Sequence, residues 1–368
     1  MGFLTFVIPT RKRHRELSAC VRSIAEQVGD TDTKIIILYN SDEEHTSRAV
    51  ERLKAAYPFI SSQAFKGEPD YAEKFNAMFL AAPDSEWVWT FGDDEILRPN
   101  ALKFIYPRLK TAAAELSFIH IAEKKRSTNT GDVFSGRFID LCCKFGWLDM
   151  CGFISGNIVR GAKLASCVTP NWNAYAKTAY VQACALLEGL CKDQAQLIDS
   201  PLYDTQDAVD EHVRSTIQQQ WAEANTVVRY LYLSDALQLL YDQGLLKKKL
   251  PTKFFRYHNY HLWDRHICCA MFVWMSEQKI WFDEWGIYAK KLAGFVADEK
   301  MAAKIIEDVN AAQRLVFMKS AADQNAKIIG EAIQAMYDEH NAEQYQMNIV
   351  ETEGGAKSAN VTQMFKAA

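Results

Sequence analysis

Glu86-Trp87-Val88-Trp89-Thr90-Phe91-Gly92-Asp93-Asp94-Glu95 joins an apolar run directly to three consecutive carboxylates. Trp87–Phe91 has the length and the aromatic content of a strand buried on both faces. Adjacent anions at the end of such a strand repel one another and resist desolvation. A hard divalent cation relieves that cost. Mg²⁺ or Mn²⁺ takes one or two carboxylates and completes its shell with water and substrate phosphates. The stretch therefore predicts a strand end that holds a metal-bound diphosphate. The plainer alternative is an acidic turn, with Glu95 early in a helix and Pro99 at a helix start.

Outward from this stretch, Leu4–Ile8, Lys34–Tyr39, Ile60–Phe65 and Leu116–Ile121 are predicted strands. Amphipathic helices lie between them: Leu17, Val21, Ile24 and Val28 recur at helical spacing, as do Val50, Leu53 and Ala56, then Phe75, Met78, Phe79 and Ala82. This alternation predicts an α/β fold with a mostly parallel sheet flanked by helices. Ligands of such sheets bind beyond the carboxyl ends of the strands. Phe153–Val159 and Gln196–Tyr203 are two further predicted strands. From Glu211 to about Asn341 the periodicity is almost wholly helical, interrupted at Pro251. The expected organisation is a sheet domain over residues 1–208, a helical region over 209–345 and a flexible tail over 346–368.

The chain has 368 residues, 49% hydrophobic and 24% charged, with a net charge of −4, so no global basic field argues for nucleic acid. Nine cysteines include no C-x-x-C pair; Cys142-Cys143 and Cys268-Cys269 lie in apolar surroundings and read as reduced thiols of a cytoplasmic protein. Met1–Pro9 reads as a strand followed by proline and not as a signal peptide, and no stretch has the length of a membrane span.

The other polar clusters also fall after strands. Pro9-Thr10-Arg11-Lys12-Arg13 follows the first and opens a helix, a setting suited to an anion. Asn40-Ser41-Asp42 follows the second, as a short loop able to grip a base or ribose. Lys74 and Asn76 open the helix before the acidic strand.

VIPTRKR at 7–13, the Asn40–Asp42 loop, Asn76 and WTFGDDEILRPNAL at 89–102 together resemble a GT-A glycosyltransferase of the family 2 type, over about residues 3–205. The resemblance implies donor contacts from Pro9, Thr10, Arg11, Arg13, Asn40, Asp42, Lys74, Asn76, Asp93 and Asp94, with Asp42 on the base and Asn76 close to it. It implies a metal, Mn²⁺ or Mg²⁺, held by Asp93 and Glu95, the latter standing where the pattern more usually ends in aspartate. Asp93 and Asp94 are then also catalytic. The family's general base sits in an acidic pair at a helix start, which falls here near Ala179-Tyr180-Val181-Gln182 and holds no carboxylate. Asp149, Glu188 and Asp193 are the substitute candidates.

Ser155 and Asn157 fall where deoxysugar-type relatives meet the acceptor. Lys247–His266 carries four Lys and two Arg against one Asp, a formal +5, with aromatic residues interleaved. Within it Lys253, Arg256, Tyr257 and Trp263 are candidate acceptor contacts; an amphipathic helix with core aromatics is the plainer reading. The expected activity is transfer of a sugar from a nucleotide-sugar donor, a UDP-sugar, to an acceptor hydroxyl. That hydroxyl belongs to a glycan or to a 5-hydroxymethyl pyrimidine in DNA, as in phage-type DNA modification. The helical region would cap the acceptor cleft, form a homodimer or bind the acceptor. The alternative is a non-catalytic nucleotide- or sugar-binding protein that keeps the fold.

Overall fold

Trp87–Thr90 (β4) is buried along its whole length, and it pairs in parallel with Leu4–Pro9 (β1), which is nearly so. Strands covered on both faces read as continuous apolar runs, as these do. The computed structural model describes residues 2–67, 69–124, 127–178, 180–206, 232–257, 260–261, 282–307 and 310, all within one unit, Met1–Asn310. The tail over 346–368, Trp263 and most of the helical region fall outside these residues.

From β1 the chain runs through His14–Val28 (α1), Thr33–Asn40 (β2), Glu44–Ala56 (α2), Ile60–Phe65 (β3) and Tyr71–Leu80 (α3) to β4. Glu95–Leu97 (β5), Ala101–Lys110 (α4), Leu116–Ile121 (β6), Val133–Arg137 (β7), Phe138–Phe145 (α5) and Trp147–Cys151 (α6) follow. Then come Asn157–Arg160 (β8), Gly161–Ser166 (α7), Trp172–Tyr175 (α8), Val181–Leu190 (α9), Gln194–Ile198 (β9) and Tyr203–Thr205 (β10). The described elements beyond residue 231 are Leu233–Asp242 (α10), a 3₁₀ turn at Thr252–Phe255, a short pair of Arg256–Tyr257 (β11) and Tyr260–His261 (β12), and Phe282–Phe295 (α11).

The main sheet has eight strands in the order β3-β2-β1-β4-β8-β6-β9-β7. β8 runs against β4 and β6, and β7 against β9; the other pairings are parallel. The order reverses beside β1 and β4, so their carboxyl ends form the crevice such sheets offer a ligand. Helix α1 turns Leu17, Cys20, Val21, Ile24 and Val28 inward, and Phe6 stacks on Trp89 with ring centroids 4.9 Å apart. Helix α3 is fixed by a capping box in which Asp70 and Glu73 exchange side-chain and backbone hydrogen bonds.

Several boundaries differ from the sequence expectation. Phe153–Val159 is a strand only from Asn157. Residues Ile154–Gly156 form a 3₁₀ turn, because the Ile154 and Ser155 carbonyls accept from Thr90 Oγ1 (2.7 Å) and Trp89 Nε1 (2.8 Å) and not from a neighbouring strand. Gln196–Tyr203 breaks at Pro201, which has no N–H to continue a ladder, into β9 and β10. β5 and β7 carry no apolar run long enough to announce them. Within the basic segment, β11 and β12 pair antiparallel where helical periodicity is predicted.

Close packing sets one sharp requirement. A Cβ on Gly161 would lie 2.3 Å from the Ser85 carbonyl oxygen and 2.6 Å from that of Ala82. Both are backbone atoms and cannot rotate away. Gly161→Ala is expected to destabilise the protein by about 1–3 kcal/mol, as overpacking does, read as a lower urea midpoint at unchanged slope.

Candidate functional site

Asp93 and Asp94 leave the end of β4 and meet the turn that leaves β1. Thr10 Oγ1 donates to Asp93 Oδ2 at 2.7 Å. Arg13 Nη1 donates to Asp93 Oδ1 at 2.9 Å and to Asp94 Oδ2 at 2.7 Å, so one guanidinium nitrogen serves both carboxylates. Lys74 Nζ donates to the Thr10 carbonyl at 3.0 Å and ties α3 to the same turn. The turn needs an unusual backbone: Lys12 is left-handed, with φ 56°, and its N–H donates to Glu43 Oε2 at 2.6 Å. Non-glycine residues rarely adopt that conformation and are held there by their surroundings. Helix α1 begins straight after Arg13, with no side chain capping its first N–H groups.

Gly92 makes the approach of the acidic run possible. Its N–H donates to Ser155 Oγ at 2.9 Å, and Cys20 Sγ donates to its carbonyl at 3.4 Å. A Cβ there would lie 2.9 Å from Asp94 Oδ1. Downstream, β5 pairs with β10 so that Glu95 faces Thr205, and the Gln206 N–H donates to the Asp94 carbonyl at 2.7 Å. Arg98 grips Asp204 through two nitrogens, at 2.8 and 2.7 Å. This second small sheet fixes the outgoing side of the motif, and no sequence signal announces it.

The electrostatics are strained. Burial first, then the charge of Asp94, pushes the Glu95 carboxyl up to about 9, with Glu123 and Asp93 adding in the same direction. Glu95 is 1% exposed, and its Oε2 is buried without a hydrogen-bond partner. Burial raises Asp93 as well, to about 6, against the opposing pull of Arg13. Asp93 and Asp94 thus share one arginine, and Glu95 lies beside them outside that pairing. Among the described residues no three His, Cys, Asp or Glu side chains converge as a ready cation cage. A cation that keeps waters and takes substrate phosphates needs no such cage. The unpartnered Glu95 oxygen beside Asp94 and an all-oxygen donor set fit a hard divalent ion. The Asp94 side chain is 34% exposed against 7% for Asp93, so Asp94 is the carboxylate open to a ligand.

The remaining candidates divide. Asp42 stands at the end of β2, where its Oδ2 accepts from the Gly67 N–H at 2.7 Å; Asn40 Nδ2 donates to the Gly67 carbonyl at 3.0 Å. Both therefore hold the β3–α3 loop. Pro9 ends β1, and Arg11 follows within the same turn. Asn76 lies two positions from Lys74, on another face of α3. It lines a cavity of about 650 Å³ between that helix, the end of β3 and α8, with Phe65, Pro69 and Trp172.

Ser155 and Asn157 are 0% and 2% exposed. Ser155 latches Gly92, while Asn157 Nδ2 donates to the Cys151 carbonyl at 3.4 Å and its Oδ1 meets His120 Nδ1 at 3.3 Å. Their acceptor-facing assignment is corrected to internal support of the turn. Glu188 accepts from Thr169 Oγ1 and Asn171 Nδ2, both at 2.6 Å, and Asp193 pairs with Lys163 at 2.8 Å. Asp193 precedes the start of β9, which runs parallel to β6, so it sits at the opposite edge of the sheet from Asp93. Glu188, late in α9, lies toward that same edge, and neither reaches the acidic motif. Asp149 is half-buried on α6. Helix α9 starts at Val181, as expected, with Gln182 buried there: its Nε2 donates to the Gly152 carbonyl at 2.8 Å and its Oε1 accepts from Tyr71 Oη at 3.3 Å. Lys253 is exposed, while Phe254 and Phe255 beside it are core, Phe254 stacking on Trp147 at 5.5 Å. Arg256 and Tyr257 lie on β11.

Residues 2–140, from β1 into α5, match the family described as glycosyltransferase-like family 2. The chain is similar in fold to S. aureus TarS 1–349 in complex with UDP-GlcNAc, with a TM-score of 0.54 at 12% identity over 87% of this chain and 92% of that one. The same fragment in complex with UDP gives 0.51 at 11% identity, over 88% and 92%. Against S. aureus TarS the score is 0.52 at 11% identity, over 87% of this chain and 55% of that one. No curated protein sequence matches. The sheet order, the flanking helices and the family match are those of a glycosyl-transfer enzyme with the GT-A fold.

Proposed function

We propose that this protein is a divalent-metal-dependent glycosyltransferase that moves a sugar from a UDP-sugar to an acceptor hydroxyl. The observation that carries the reading is the Thr10–Arg13–Asp93–Asp94 cluster at the carboxyl ends of β1 and β4, beside the unpartnered buried oxygen of Glu95. Fold alone does not assign chemistry; the charged site supplies the argument.

The acceptor oxygen attacks the anomeric carbon, the bond from that carbon to the diphosphate breaks, and the nucleoside diphosphate leaves with the electron pair. When bound, Mn²⁺ or Mg²⁺ neutralises charge on the departing diphosphate. Asp94 and Glu95 would hold it, with Asp93 oriented by Thr10 and Arg13. The open N–H groups at the start of α1 lie next to this cluster and suit the phosphates. Pro9 and Arg11 shape the turn, Lys74 steadies it, and Asn40 and Asp42 border the nucleoside. Asn76 faces the cavity beside α8, off this cluster.

A saccharide hydroxyl is the favoured acceptor. A nucleic-acid surface at Lys247–His266 would need its lysines and aromatics presented outward. Lys247, Lys248, Lys249 and Lys253 are exposed, but Phe254 and Phe255, the described aromatics between them and β11, are buried. We place the acceptor-binding role in the helical region over 209–345, the segment beyond the sheet domain.

The test is release of UDP from UDP-N-acetylglucosamine and other UDP-sugars, with Mn²⁺, Mg²⁺ or EDTA, in the presence of glycans or DNA carrying 5-hydroxymethyl pyrimidines. Turnover that EDTA abolishes supports the reading. Transfer to DNA alone would replace the saccharide acceptor, and UDP binding without turnover under any condition would leave a binding protein.

A further inference from the structure

The geometry points to Glu43 as a positioning residue. From the start of α2 it holds the turn after β1 in the backbone conformation that brings Thr10 and Arg13 together on the acidic motif. The assignment rests on the transferase reading above and gives a role to a residue that has none in it.

The turn is fixed at both ends. The Thr10 N–H donates to the Leu38 carbonyl at 2.8 Å, so Thr10 belongs to the sheet edge. The Arg13 carbonyl accepts from the Leu17 N–H at 2.9 Å, so Arg13 opens α1. Arg11 and Lys12 alone span the gap. The flanking side chains must still meet one carboxylate, Thr10 Oγ1 on Asp93 Oδ2 and Arg13 Nη1 on Asp93 Oδ1. Lys12 closes the gap with a φ of 56°. A lysine gains nothing in that region, where its Cβ crowds the backbone and glycine or asparagine is more at ease. The conformation therefore has to be held by its surroundings.

Glu43 does the holding. Its Oε2 accepts from the Lys12 N–H at 2.6 Å, across 31 residues of chain. A carboxylate acceptor makes the stronger, shorter class of hydrogen bond. The glutamate is itself anchored. Its N–H donates to the Asn40 carbonyl at 3.2 Å, its carbonyl accepts from the Ser47 N–H at 2.8 Å, and buried Thr46 donates its hydroxyl to the same Oε2 at 3.0 Å. A run of contacts thus leads from the end of β2 through Glu43 and Lys12 to Arg13, Asp93 and Asp94.

Charge does not explain a glutamate here, because an anion against a turn that meets a diphosphate opposes the ligand. The side chain serves as an acceptor. One oxygen takes both donors, and Oε1 is buried with no hydrogen-bond partner among the described residues. Position and charge can therefore be separated: Glu43→Gln keeps an acceptor for Lys12, and Glu43→Ala removes it.

The experiment measures UDP·Mn²⁺ binding by calorimetry on the full chain carrying Glu43→Ala, Glu43→Gln, Lys12→Gly, or Glu43→Ala together with Lys12→Gly. Release of UDP from UDP-N-acetylglucosamine, or whichever UDP-sugar the unmodified protein turns over, is followed in parallel. Glu43→Ala is expected to weaken UDP·Mn²⁺ binding about tenfold, the scale of one hydrogen bond to a charged group. Its turnover is expected to fall about 10²-fold, the scale of a misplacement of about 1 Å. Glu43→Gln is expected to bind within about threefold of the unmodified protein, since the acceptor remains. The metal-free Glu43→Ala variant should keep one cooperative thermal transition within a few degrees of the unmodified protein.

Lys12→Gly isolates the cause. Glycine takes a positive φ freely, so a turn that needs only its backbone conformation no longer needs the glutamate. In the Lys12→Gly background, Glu43→Ala is expected to weaken binding less than about twofold, against about tenfold when Lys12 is kept. A role confined to the start of α2 would give the same loss in both backgrounds. That equal loss would overturn the assignment. So would unchanged binding in Glu43→Ala, a Glu43→Gln variant as damaged as Glu43→Ala, or a Glu43→Ala chain that does not fold, which would make Glu43 a residue of stability alone. An unmodified protein that neither binds UDP·Mn²⁺ nor releases UDP would sink the transferase reading, and this assignment with it.

Discussion

Asp94→Ala is expected to lower metal-dependent UDP release by about 10²–10³-fold or more, the cost of removing one group that stabilises developing charge. Of the three adjacent carboxylates, Asp94 is the one with solvent access, and its partner Arg13 keeps Asp93 when Asp94 is gone. The variant should therefore fold, with a thermal midpoint within a few degrees of the unmodified protein. It should also lose the stabilisation that Mn²⁺ and UDP give together, since a ligand stabilises only the state that binds it. Asp140→Ala, which removes an exposed pair with Arg137, is the control and should change neither quantity. An Asp94→Ala variant with near-normal metal-dependent turnover would show that the cation lies elsewhere.

Much of this site is legible in the sequence because its parts are consecutive. A buried apolar strand running into GDDE is costly without a counter-charge, and the turn residues Thr10 and Arg13 follow another apolar strand that had to pair near it. The order of strands and helices up to α4 follows from apolar periodicity for the same reason. What the sequence conceals is made by contacts distant along the chain. β5 has only Glu95–Leu97 to declare itself, and it exists because Tyr203–Thr205 returns to pair with it. Ser155 and Asn157 have the polarity of ligand contacts, yet the fold uses both inside, where they satisfy the backbone around Gly92 and Cys151. Glu188 and Asp193 were equal to Asp149 by composition; the direction of β9 separates them.

Glu95→Gln is expected to flatten the pH dependence of stability in the metal-free protein. An ordinary glutamate loses its proton near 4.5, whereas burial and the neighbouring Asp94 charge hold the folded-state value at about 9. Between these values the folded chain binds a proton that the unfolded chain has released. Stability then falls as pH rises through this window: the contribution is full below about 4.5 and lost once pH passes about 9. Asp93, raised to about 6 from 3.8, adds a slope of the same sign at the acid end. A glutamine keeps the shape of the side chain and cannot ionise, so urea midpoints measured at pH 6 and pH 9 should converge in the variant. Mn²⁺ should oppose the slope in the unmodified protein, because a ligating carboxylate must be deprotonated and the ion supplies the charge it lacks. Its stabilising effect should accordingly grow from pH 6 to pH 9, and should shrink in Glu95→Gln at both. A variant that retains the full alkaline loss of stability would show that Glu95 ionises freely in the fold, and with that the case for a cation at this carboxylate would fall.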